Sequence, residues 1–155
     1  MKEDRPRGKY FEEFNLGDEF ETNARTVTEA HFVAFEGLTG DFNSLHVDAE
    51  YCKDTIFNER IAQTFLGLTM VSGLWYMLFL GEKTTIAFLE LRNWKILKPI
   101  KIGDTIHGTV KIIEKKETKK PDRGIVVSHR KIVNQRGEVV NEGDWVMMVR
   151  RKPKE

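Results

Sequence analysis

The spacing of apolar residues changes character near the middle of the chain, from a helical repeat to strict alternation. Thr105 to Lys116 alternates cleanly, with Ile106, Val110 and Ile112 on one face and Thr105, His107, Thr109 and Lys111 on the other. That period of two predicts a half-buried strand. Further strands are predicted over Thr84 to Trp94, Ile125 to Asn134 and Glu138 to Arg150, with ETKKPDRG (Glu117 to Gly124) as an exposed loop and Asn134 to Gly137 as a hairpin turn. Upstream, Gln63 to Leu80 carries Phe65, Leu66, Leu68, Val71, Leu74, Trp75 and Leu78 without a charge. This predicts a long helix buried on nearly all sides, ended by Gly81-Glu82-Lys83. Before it, Glu19 to Val27 reads as a strand. Thr28 is the N-cap of a helix over Glu29 to Thr39 that turns Phe32, Phe35 and Leu38 to the core and ends at Gly40. Ala49 to Arg60 is charged enough for a short exposed helix or loop.

One apolar helix with strands before and after it is an α+β arrangement in which a curved antiparallel sheet wraps the helix. At 155 residues and 40% hydrophobic content the chain is expected to form a single domain over 1–155, with loose tails at about 1–9 and 151–155. A net charge of +1 gives no field that would draw nucleic acid or a membrane surface. Ile61 to Gly81 has no charge, but Gln63, Thr64, Thr69, Ser72 and three glycines argue against a membrane span. The lone Cys52 excludes internal disulfides and reads as a small buried hydrophobe. Met1 to Lys9 is charged and has no secretory character, so a cytoplasmic location is expected.

Candidate chemistry gathers in Asp41, Asn43 and His46. Five residues separate Asp41 from His46, so the two converge only if Phe42 to Leu45 form a turn, which Gly40 and the composition Asp-Phe-Asn-Ser favour. A converging carboxylate and imidazole can hold one water and move its proton near neutral pH. The same residues also fit a structural role, with Asp41 and Asn43 capping a turn and His46 satisfied at the core edge.

Asp41-Phe42-Asn43-Ser44-Leu45-His46-Val47-Asp48, then Ile61-Ala62-Gln63 and Ser72-Gly73, resembles the MaoC-like dehydratases, in particular the (R)-specific enoyl-CoA hydratases. Phe11 to Thr28, Lys98 to Thr105 and Asn134 to Val149 extend the resemblance over most of the chain. It implies a hotdog fold, a homodimer or a multiple of one, and reversible hydration of a 2-enoyl thioester to an (R)-3-hydroxyacyl thioester, with coenzyme A thioester as substrate and neither metal nor other cofactor. Asp41 and His46 would be catalytic, Asn43 would brace the turn, backbone donors near Gln63 and Thr64 would receive the thioester oxygen, and Ser72 would sit beside the pocket. Thr64 and Gln63 stand where the family usually has glycine and often histidine, and Ser44 replaces a common proline. Trp75 fits either an acyl pocket or the core. Arg92, Lys95 and Lys98 fit either coenzyme A phosphates or solvated strand ends. Two rival readings remain: a thioesterase, which normally uses an acidic residue on the long helix that this chain lacks, and a non-catalytic acyl-CoA-binding module or partner subunit.

Overall fold

A computed structural model describes residues 8–153. The chain forms β1 (Glu19–Glu21), β2 (Arg25–Thr26), α1 (Glu29–Thr39), α2 (Ser44–Val47), α3 (Ala49–Lys53), α4 (Leu66–Tyr76), β3 (Thr85–Ile96), β4 (Thr105–Glu117), β5 (Arg123–Val133) and β6 (Val139–Arg150). The strands pair antiparallel in the order β1-β4-β5-β6-β3, with β2 also on β4. Alternation in β4 does what period two requires: Ile106, Val110 and Ile112 are buried against α4 while Lys111 faces out. Leu66, Met70, Val71 and Trp75 form the face of α4 that closes this core. The approach is close because Gly108 of β4 has no side chain; a Cβ there would lie 2.2 Å from Trp75 Nε1. The Asn134–Gly137 turn also forms, with Gly137 left-handed (φ 74°) and its N–H bonded to Asn134 O.

Four expectations need correction. The strand over Glu19 to Val27 is two strands, because the four residue steps from Glu21 to Arg25 lie against only three on β4, from Thr109 to Ile106. The extra residue makes a bulge, and buried Thr22 bonds both backbone groups of Gly108 across it. The long helix is shorter at both ends than Gln63 to Leu80. Ile61 bridges to Lys101 and Ala62 N–H bonds to Ile100 O, which holds the entry extended. Past Tyr76 the chain continues in turns with left-handed Phe79 and Lys83. Nor is α4 buried on nearly all sides, since Thr69, Gly73 and Tyr76 are exposed. Of the stripe on α1, Phe32 is buried and Phe35 partly so, but Leu38 is 80% exposed.

The described parts of the expected tails are held in place. Gly8 and Lys9 donate to Glu82 O and Leu80 O, and Arg151 pairs with Glu12 and Glu117. Residues 1–7 and 154–155 lie outside the described residues. Cys52 is fully buried, with its thiol directed at the Ser44 and Leu45 carbonyls. Among the described residues no helix is long and apolar enough to cross a membrane.

Candidate active site

The turn after α1 builds the site. Gly40 is left-handed (φ 73°) and its N–H returns to Glu36 O, which ends α1 and releases Asp41 in a new direction. Asn43 then caps α2, its Oδ1 accepting from Leu45 N–H at 3.0 Å. One turn of helix brings His46 back toward Asp41. His46 Nε2 stands 3.6 Å from Asp41 Oδ2, too long for a hydrogen bond and short enough for one water to touch both.

The other ring nitrogen sets the chemistry. His46 Nδ1 is 2.8 Å from Ile61 O, and a carbonyl can only accept, so Nδ1 carries the hydrogen. In the neutral ring the lone pair therefore lies on Nε2, facing the carboxylate. His46 is 7% exposed, whereas the Asp41 side chain is 48% exposed. A recessed base thus sits beside an accessible acid.

Both line a cleft of about 290 Å³ with Asn43, Ile61, Ala62, Gln63, Thr64, Lys98 and Asn141. Lys98 reaches across the β5–β6 turn to Glu138. Glu138 accepts from Asn134, Lys98 and Arg136, and these donors hold its pKa at about 2, well below the carboxylate range.

Gln63 lines the cleft, but its side chain serves a different purpose from the one expected. It is 2% exposed and Nε2 donates to buried Glu36 at 3.1 Å, which ties the entry of α4 to α1. Thr64 is exposed in the turn before α4, and its backbone N–H makes no hydrogen bond among the described residues. Ser72 and Trp75 are not at this cleft. They line a second cavity of about 290 Å³ farther along α4, where Ser72 Oγ donates to Thr69 O and Trp75 packs edge-on to Trp145. Arg92 pairs with Glu90 on β3, and Lys95 is exposed on the same strand, so neither lines the cleft.

Sequence reading missed the Ile61 carbonyl, Asn141 and Glu36. Glu36 carried a signal, since it falls four residues after Phe32 and so on the buried face of α1. The other two carried none, because each reaches the cleft only through pairing of distant segments.

The helix against a curved antiparallel sheet, with an acid, an amide-capped turn and a histidine at the helix entry, defines a class. The chain has the hotdog fold and belongs to the MaoC-like dehydratase family: residues 12–134 match the MaoC like domain. It is 36% identical over 147 residues to Protein MaoC of Klebsiella aerogenes, covering 94% of this chain and 40% of that protein. Against the (R)-specific enoyl-CoA hydratase of Rhodospirillum rubrum it is 31% identical, covering 90% of this chain and 91% of the relative. Among solved structures, a monoamine oxidase regulatory protein from Archaeoglobus fulgidus superposes with a TM-score of 0.89 at 35% identity, covering 94% of this chain and 97% of the other. The chain thus spans less than half of the Klebsiella protein but nearly all of the Rhodospirillum hydratase.

Proposed function

We propose that this protein catalyses reversible addition of water to a 2-enoyl-CoA, giving an (R)-3-hydroxyacyl-CoA. The observation that carries the reading is the Asp41–His46 pair, with the imidazole lone pair fixed on Nε2 by the Ile61 carbonyl and turned to the carboxylate at 3.6 Å. A water between them gives one proton to Nε2 as its oxygen bonds to C3. Electrons move through C2 onto the thioester oxygen, and a proton from the pair completes C2. In this reading the N–H of Thr64, just before the positive end of α4 and without a hydrogen-bond partner among the described residues, receives the developing oxyanion. Its β-branched side chain narrows the approach that the family's glycine leaves open. The (R) configuration is carried over from the Rhodospirillum relative.

Loss of the conjugated thioester absorbance of crotonyl-CoA without release of free thiol is the expected result. Thiol release would mean a thioesterase, and saturable binding without turnover would mean an acyl-CoA-binding module.

The working unit in this reading is a homodimer. Among the described residues β3 pairs only with β6, which leaves its other edge open, and Ile86, Phe88, Leu89, Ile96 and Leu97 are exposed along and just past it. A twelve-residue unpaired edge carrying that much apolar surface is the natural seat of a second copy. Light scattering should give twice the mass of one chain in the active fraction; an active monomer would refute the dimer.

A further inference from the structure

The cavity beside Ser72 contains a charge that the proposed reaction does not use. Arg130, on β5, is 6% exposed, and its guanidinium lies over the edge-to-face pair of Trp75 and Trp145, 4.7 and 4.6 Å from the two ring centroids. Its Nε donates to Ser128 Oγ at 3.0 Å, and among the described residues its one further hydrogen-bond contact is Nη2 to Met147 Sδ at 4.0 Å. No carboxylate faces it among the described residues. Burial alone pulls its pKa to about 9, so the group is still a cation at neutral pH.

Two tryptophan faces hold a cation in place without cancelling its charge. A buried charge left uncompensated is destabilising, so an anionic partner at this site would relieve a cost that the fold now carries. The surroundings say which kind of partner. Trp75, Leu80, Val110, Trp145 and Met147 make the walls apolar, and among the described residues no acid lines the cavity. Its volume of about 290 Å³ suits a small organic group. Nε is already engaged, which leaves the terminal nitrogens for a flat, monoanionic, two-oxygen acceptor. A phosphate would bring more charge than one guanidinium neutralises.

We infer that this cavity is a carboxylate-binding site, in which Arg130 receives the carboxylate of a short ligand and the tryptophan-lined walls receive its apolar stem. The carboxylate comes either from a free acid or from the far end of a carboxyl-terminated enoyl chain. The second source rests on the hydratase reading; the site itself does not.

Trp75 and Trp145 both touch the guanidinium, so tryptophan fluorescence reports occupancy directly. Titrating the full chain with butyrate should give a saturable change, and butyramide, equal in size but uncharged, should give none. That comparison needs no variant. Arg130→Met should abolish the butyrate response, and Arg130→Lys, which keeps the charge without the fork, should weaken it. Equal responses to butyrate and butyramide, or a butyrate response that survives Arg130→Met, would overturn the site.

A second arm compares kcat/KM for 4-carboxybut-2-enoyl-CoA with that for crotonyl-CoA. A ratio that falls ~10²-fold or more in Arg130→Met assigns the carboxylate to the substrate. An unchanged ratio with the butyrate response intact in the parent chain assigns the site to a free acid. If butyrate binds and neither thioester is hydrated, the hydratase reading fails while the carboxylate site stands.

Discussion

Asp41→Asn is expected to lower hydration of crotonyl-CoA by the ~10² to 10⁴ that a positioned acid or base contributes. The change keeps the size of the side chain and removes its charge. It should leave the fold intact, because capping of α2 belongs to Asn43 and the Asp41 carboxylate faces His46 from a largely solvated position. His46→Ala should cost as much activity, and it also strips the Ile61 carbonyl of its buried donor, an unpaired acceptor that destabilises by ~1–3 kcal/mol. Asp41→Asn is therefore the cleaner substitution. Since both groups act on one water, the double variant should be little slower than either single one. Steady-state rates, with circular dichroism to confirm folding, read all three. A folded Asp41→Asn near parental turnover would make the turn from Gly40 to His46 structural and remove the proposed active site.

Gly108→Ala should damage the core where α4 rests on the sheet. A Cβ at that position would lie 2.2 Å from Trp75 Nε1 and 2.5 Å from Val71 Cγ1, both on the buried face of α4. Neither neighbour is the free end of a flexible side chain, so the helix must move off β4. The expected loss is ~1–3 kcal/mol, measured by chemical denaturation. Because Trp75 also stacks on Arg130, the second cavity should be disturbed along with the core. Gly37→Ala on α1 is the matched control. Nothing lies within 4 Å of its Cβ, and replacing an exposed helical glycine should stabilise by ~0.5–1 kcal/mol. Equal stability of the two variants would show that the helix does not rest on Gly108.

The contrast between these two glycines shows how far the chain could be read without coordinates. Both stand in predicted regular elements, and alternation puts Gly108 on the face of Ile106 and Val110, but nothing local says that a tryptophan will press against it. Gly40 differs, because its role is local: it ends α1 at the predicted residue through its own left-handed backbone.

What the sequence by itself determined was whatever depends on near neighbours. The alternation of β4, the cap at Thr28, the stop at Gly40, the Asn43 turn and the convergence of Asp41 with His46 all follow from spacing and turn chemistry over a few residues. Tertiary structure alone decided the rest. It cut α4 back to Leu66–Tyr76 by pairing Ile61 and Ala62 with residues 100–101, and it bulged the first strand around Thr22. It also chose the His46 tautomer through a carbonyl fifteen residues away, and moved Ser72 and Trp75 into a cavity of their own. Arg130 makes the point most sharply. In an alternating strand it is one more polar position, and only the approach of Trp75 from α4 and Trp145 from β6 makes it a buried cation that no carboxylate meets among the described residues. Burial and pairing are properties of what arrives from elsewhere in the chain, and local pattern holds no record of it.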